Sequence, residues 1–329
     1  MPHLPALRHC AQVLELRAIA ELQTGESERA LADAKLDLQL AEKLRYEPFV
    51  ESQLTRIVIV QDAIQIVYEG LAAHKWSDVQ LTGLDAELAK LDFLADYQFA
   101  MRAENALRIS ETEYFHRTRD FHALDNADYV NDYGAFYKKF LPWAPVFIFY
   151  KNELNIARLH QQWIFPLVNI QSGLVRPDII RMGAGKSKDG SPYDVLARMF
   201  FHALTNSMPR FPLAQSSVNL ARTAIALEHY RLANGNYPDS LDVLAPQFIK
   251  TIPSDIFGGP PSPGSGAAGK PLQYRHDPAS QSSGAAGGQF ILYSIGWNET
   301  DDGGVPEVLN NHLDDYRKGD LVWRYPRAE

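Results

Sequence analysis

The sequence predicts a mainly α chain with a C-terminal α+β domain: a helical hairpin array, then a long helix packed on a small antiparallel sheet. Three observations carry this. Across residues 7–110 apolar side chains recur at helical spacing, with no proline between Pro5 and Pro48 or between Pro48 and Pro142. A second helical pattern, from Val218 through Leu232, is closed by Gly235 and Pro238. Three short runs rich in aromatic or branched residues then follow at 272–274, 290–295 and 321–323, each bounded by Gly, Pro, Asp or Asn, and read as strands. One helix laid across such strands makes an α+β unit. The expected divisions are a solenoid-like helical block at 1–110, a mostly helical connecting region at 111–213 and the α+β domain at 214–329.

In the helical block, Leu14, Ala18, Leu22, Gly25, Ala30 and Ala34 have the spacing of two helices joined at Gly25, with small alanines that permit close contact. This resembles one tetratricopeptide repeat; a plain helical hairpin accounts for the same residues. Residues 49–69 carry Leu54, Ile57, Val58, Ala63, Ile64 and Val67 as an apolar stripe, and 77–94 carry Leu81, Leu84, Leu88 and Leu91 at a period near 3.5. Such stripes are core. The block reads as four to six antiparallel helices.

The connecting region is aromatic and charged over 111–137, with a turn expected at 126–132. Residues 145–164 read as a helix with Leu154, Ala157 and Trp163 inward. A loop is expected at 175–193 and another helix at 194–208. Pro209 and Pro212 stop that helix and set the boundary of the last domain at 208–213.

In the last domain, Val218, Ala221, Ile225 and Leu232 form one helical stripe and Leu220, Ala224 and Leu227 a second beside it. Ser216 or Ser217 is the expected N-cap. A short second helix is expected at 240–244, with Leu241, Val243 and Leu244 apolar. Residues 258–269 and 279–288 are rich in Gly, Ser, Ala and Pro and read as flexible loops.

The ordered segments Tyr-Arg-Leu-Ala-Asn-Gly-Asn-Tyr-Pro at 230–238, Ile-Pro-Ser-Asp at 252–255, Pro-Leu-Gln-Tyr at 271–274 and Phe-Ile-Leu-Tyr-Ser-Ile-Gly at 290–296 resemble the soluble part of the major pseudopilin of type II secretion. The resemblance covers roughly a third of the chain. It implies a pseudopilin-like head and a bacterial-envelope setting. The leader, cleavage motif and apolar filament helix of that family have no counterpart here, so the chain resembles a protein carrying the head rather than a filament subunit.

Net charge is −8 and the isoelectric point about 5.7, which argues against a nucleic-acid binder. Cys10 is the only cysteine, which excludes an intrachain disulfide. The sequence holds no membrane-span pattern and no signal-peptide layout at its start. The expected location is the envelope or periplasm if an export segment lies upstream, and the cytoplasm otherwise.

Candidate chemistry is sparse. Gly183-Ala-Gly-Lys-Ser187 resembles the end of a phosphate loop, but Ile180 occupies the position of the first glycine, so it reads as a surface loop. His116 and His122 lie six residues apart, wrong for one helical face, and read as surface histidines. His229 is placed on the polar side of the long helix, and His276 beside a flexible loop. Ser294 lies in a strand, outside any nucleophile-elbow pattern.

The strongest candidate is the acidic loop after the 290–295 strand: Asn298, Glu299, Asp301 and Asp302, followed by two glycines. From Glu299 to Asp320 there are seven acids and two bases. Clustered carboxylates offer the hard oxygens that calcium takes. The pseudopilin resemblance implies a calcium site in this loop, although Trp297-Asn298-Glu299 stands where that family has Ala-Asp-Gly. The alternative is a solvated acidic loop guarding a strand edge.

The expected function is a non-enzymatic structural or adaptor protein, envelope- and secretion-associated, with the helical block meeting a protein partner. Alternatives are a hydrolase using Asp120, Asp128, Asp132 and Glu153, or a helical-repeat peptide-binding module.

Overall fold

The structure, a computed structural model, describes residues 1–124, 139–187, 192–259, 269–277, 289–306 and 318–325. The chain is mainly α with a small C-terminal antiparallel sheet. Helices α1 (His3–Thr24) and α2 (Ser27–Lys43) form the expected hairpin. Gly25 joins them at φ 85°, a left-handed cap where a Cβ is disfavoured. Helix α3 (Val50–Ala72) returns alongside both, so the three pack on one another. Helix α4 (Asp78–Leu88) starts at a capping box in which Ser77 and Gln80 exchange side chain and backbone bonds. Helix α5 (Phe93–Thr118) starts where Asp92 accepts the Ala95 N–H.

The connecting region differs from expectation in detail. Helix α6 (Val146–Leu159) runs into a π-helical turn at His160–Ile164. Its buried residues are Ile148, Phe149, Asn152 and Ile156, and Leu154 is 50% exposed rather than inward. The two stripes lie on different faces of one cylinder, and the phase could not be read while the neighbours were unknown. Strands β1 (Val168–Asn169) and β2 (Leu174–Val175) pair as a minimal hairpin. A loop was expected over most of the next segment; it is helix α7 (Pro177–Ser187), with Pro177 at its first position, Asp178 in its first turn and Ile179 and Ile180 buried. Helix α8 (Val195–Leu204) follows. The turn expected at 126–132 and most of the Gly-rich tracts lie outside the described residues.

Helix α9 (Arg210–Asn234) starts earlier than expected. Pro209 is its N-cap and Pro212 lies in its first turn, where a missing N–H leaves nothing unpaired. The prolines therefore open this helix. Ser216 and Ser217 sit inside it, and the Ser217 hydroxyl donates back to the Leu213 carbonyl. Gly235 caps its end at φ 85°. The short helix expected at 240–244 is a 3-10 turn, Leu241–Leu244.

Strands β3 (Gln273–Asp277), β4 (Gln289–Ser294) and β5 (Leu321–Tyr325) form an antiparallel sheet in the order β3-β4-β5. Gln273 faces Tyr293, and Leu292 faces Trp323. One hydrophobic core runs from Leu4 through the five N-terminal helices and α9 to Trp323. A smaller core in the connecting region is built on Phe115, Ile148, Phe149 and Phe200. Helix α9 is the shared wall: it packs on α3, α4 and α5 and also on β4 and β5.

Candidate functional site

The acidic loop begins where β4 ends. Gly296 turns the chain at φ 72°, and a Cβ there would lie 2.9 Å from the Gly319 carbonyl oxygen. The predicted ligands then divide. The Glu299 carboxylate is 2.5 Å from the Arg181 guanidinium on α7. The Asn298 amide donates to Asp302 Oδ2 at 2.7 Å, while its carbonyl oxygen accepts the Thr300 N–H. Asp301 Oδ1 accepts the Tyr293 hydroxyl at 3.0 Å and the Gly303 N–H at 2.9 Å.

A residue outside the predicted set is buried where the predicted acids are exposed. Asp320, 5% exposed, accepts the Gly304 N–H at 2.7 Å and the Asp302 N–H at 3.3 Å. Burial raises its carboxyl above the usual range; the two N–H bonds oppose this, and Asp302 and Asp301 reinforce it. The loop thus brings Asp301, Asp302 and Asp320 into electrostatic contact, with Asn298 bonded to Asp302, and turns Glu299 to Arg181. These residues fit a divalent cation in part: the three aspartates supply hard oxygens, but several of those oxygens already accept internal bonds. Among the described residues, no group of three or more His, Cys, Asp or Glu is arranged to hold a metal ion.

A second polar centre joins the helical block to the head. Glu228 on α9, 2% exposed, is met by His74 Nδ1 at 2.8 Å, by Arg231 through both guanidinium nitrogens at 2.7 and 2.8 Å, and by the Tyr237 hydroxyl at 3.0 Å. Burial alone would raise its carboxyl. The bonds from Arg231 and His74 outweigh it and hold the group at about 2. Two more pairs cross the same seam: Arg222 with Asp85 at 2.7 Å, and His229 Nδ1 with Asp78 at 2.6 Å. His229 is on the polar side of the helix, as expected, and is 8% exposed because it meets Asp78 of α4 there. Beside Glu228 lies a narrow cleft of about 240 Å³, counting solvent at its mouth, lined by Tyr68, Ala224, Phe290 and Trp323 among others. Tyr68 meets Trp323 edge-on with ring centroids 5.2 Å apart.

The remaining motifs take structural places. Residues 183–187 close α7, so the phosphate-loop resemblance falls on a helix end. The His116 ring stacks on Phe149 at 5.6 Å and pairs with Glu113, and His122 is exposed. His276 lies 3.4 Å from Asp239. Ser294 donates to Asp255. Asp120 accepts the Tyr114 hydroxyl and the His122 N–H, whereas Glu153 sits beside Glu113 and His116. Asp128 and Asp132 lie outside the described residues. Glu228 and Asp320 went unnoticed in the sequence. Their one signal was an acid inside an apolar helical arc and an acid directly before a strand.

No protein-family model matches the chain, and neither curated proteins nor solved structures give a match.

Proposed function

We propose that this chain is a non-enzymatic structural or adaptor protein of the bacterial envelope, associated with type II secretion. Its helical block engages a protein partner, and its pseudopilin-like head binds calcium. The observation that supports this reading is the seam between block and head. Helix α9 belongs to the head by sequence pattern, yet one face is bonded to His74, just past the end of α3, and to Asp85 and Asp78 of α4, through Glu228, Arg222 and His229. A head fixed in this way holds the helical block at a set angle, which is what an adaptor needs. No helix among the described residues is long and apolar enough to cross a membrane.

Two measurements test it. Photo-crosslinkers at the exposed positions Val13 and Leu16 of the full chain, in envelope fractions of a type II-secreting bacterium, should give a discrete adduct that unlabelled chain competes away. Diffuse adducts matching those from Val243, exposed on the 3-10 turn of the head, would sink the partner claim. The calcium claim rests on Asp301 and Asp302, with Asp320 beside them. A ligand at a hundredfold its dissociation constant adds about 2.7 kcal/mol. For a chain of this size that raises the melting midpoint by roughly 5 °C. A melt of the full chain that is the same in calcium and in chelator would remove calcium from the reading.

A further inference from the structure

The first hairpin and α3 bury a carboxyl group that has nothing to bond. Asp37 on α2 is 0% exposed, and neither of its oxygens has a hydrogen-bond partner. It sits in a stripe with Ala30, Ala34, Leu38 and Ala41, all buried, where an apolar side chain would pack without loss. Instead, carboxylates converge on it from the helices on either side: Glu15 from α1 and Asp62 from α3. Asp62 also has one buried oxygen without a partner.

The nearby cations do not serve Asp37. Arg17 is committed to Asp33 through two bonds of 2.5 and 2.6 Å. Arg8 acts on Asp62, and Glu69 adds further negative charge beside Glu15. A buried carboxyl without a partner loses its hydration and gains no bond in exchange. Glu15 and Asp62 are half-buried, so of the three acids they keep contact with water while Asp37 has none. One turn from Arg17 and one turn from Asp33, the hairpin also exposes Val13 and Leu36, 49% and 41% accessible. The arrangement is a recessed set of acceptors without a donor, next to exposed apolar side chains.

We propose that Glu15, Asp37 and Asp62 form a receptor for the ammonium or guanidinium group of a basic side chain on a protein partner. The proposal rests on the reading of the helical block as a partner-binding surface and gives that partner a chemistry. An incoming lysine or arginine donates to the open oxygens and neutralises the repulsion among the three acids. A lysine has three donors to spread over them.

Protonation is coupled to this step. Burial first, then Asp62, Asp33 and Glu15, push the Asp37 carboxyl up to about 8, so the empty site holds a proton at neutral pH. Burial and Glu15 push Asp62 up to about 6, with Arg8 opposing. The basic side chain displaces the Asp37 proton to solvent, and binding therefore strengthens as pH rises.

The test uses fluorescein-labelled hexalysine and fluorescence anisotropy on the full chain, at pH 6.5 and pH 8.5. Lysine remains charged at both. Wild type should bind roughly twentyfold more tightly at the higher pH, as proton linkage through one carboxyl titrating at about 8 requires. The chain's net charge of −8 attracts hexalysine by itself, but Asp37→Asn shares that attraction. The variant carries a neutral group of the same shape, as the empty site does at neutral pH, and should fold. It should lose most of the binding at pH 8.5 and all of the pH dependence beyond that shared with surface histidines. Equal affinity and equal pH dependence in wild type and Asp37→Asn would overturn the proposal. So would calcium chloride displacing the Asp37-dependent binding at matched ionic strength, since the acids would then form a metal site. Photo-crosslinking that survives while hexalysine ignores Asp37 would refute this receptor and leave the adaptor reading standing. The reverse result would refute the adaptor reading and leave the receptor.

Discussion

Asp255 and Ser294 are 39 residues apart in the chain and 2.7 Å apart in the fold, with the serine hydroxyl donating to the carboxylate. Asp255 also accepts the Phe257 and Ile295 N–H groups, each at 3.0 Å. The carboxylate thus ties the Ile-Pro-Ser-Asp turn to the end of β4, and it does so in a site where both residues are almost fully buried. Burial raises the Asp255 carboxyl, with the three donors opposing. Ser294→Ala leaves one carboxylate oxygen short of a donor in a buried place and should cost about 1–3 kcal/mol. Urea denaturation of the full chain checks it. A loss below a few tenths of a kcal/mol would mean that the hydroxyl is not part of what holds the head together.

Gly296 stands two residues further on and turns the chain into the acidic loop. Its φ of 72° lies in the left-handed region, and an added Cβ would meet the Gly319 carbonyl oxygen at 2.9 Å. The conformation alone costs an alanine about 1–2 kcal/mol, and the carbonyl must also move. Gly296→Ala should therefore destabilise the chain more than Ser294→Ala does. It should also loosen the bonds that Asp320 accepts from Gly304 and Asp302, because Gly319 carries the strand that presents Asp320. Hydrogen exchange at the Gly304 amide reports this. Unchanged protection in the variant would count against the argument.

Much of this architecture was legible in the residues, and what was not has identifiable causes. The hairpin at Gly25, the helix that stops at Gly235 and the three strands each rest on local chemistry: a left-handed cap, a proline and a strand-length apolar run. The errors lie where one residue type serves two ends. Pro212 stops one helix or opens another according to the position at which it falls, and only the fold sets that position. Leu154 belongs to a correctly expected helix, but which side of a short amphipathic helix is covered depends on partners far away in sequence. The acidic loop was visible as a cluster of charges. That Glu299 would turn to Arg181 was not, because the partner is 118 residues upstream and lies on a helix expected as a loop. Glu228 and Asp37 were hidden for the opposite reason: each is a single acid within an apolar pattern that tolerates one exception.

Glu228 gives the seam between block and head a pH dependence. Its carboxyl titrates at about 2 in the folded chain and at 4.5 when unperturbed. A depressed carboxyl contributes stability that is complete above the unfolded value and is lost as pH falls from about 4.5 towards 2. Glu228→Gln removes charge-assisted bonds to Arg231 and His74, each of a kind worth about 1.5–3 kcal/mol. The stability gap between variant and wild type should therefore be full at pH 7 and nearly closed at pH 2. Urea midpoints at both pH values measure it. A gap that does not change with pH would show that the glutamate acts through packing alone.

Asp37 has the opposite sign, which separates the two buried acids within one protein. Its carboxyl moves from 3.8 up to about 8 on folding. The folded state then holds more protons than the unfolded state between these values, so stability is lost as pH rises across that window. The groups that face Asp37 are Glu15 from α1, Asp33 on its own helix and Asp62 from α3, with Arg17 engaged by Asp33. None offers it a free positive charge, so nothing reverses the trend in the unliganded chain. Asp37→Asn keeps the shape and removes the ionisation. It should match wild type near pH 4 and become the more stable protein by pH 9, with the crossover developing between pH 5 and 8. Glu228→Gln should show its deficit growing over pH 2 to 5 and constant thereafter. A double variant should follow the sum of the two profiles, because the carboxyls lie on different helices with no shared partner. An Asp37→Asn chain that loses stability at pH 9 would mean that the carboxylate is paired in solution with a cation from within the chain, and the recessed receptor would already be filled.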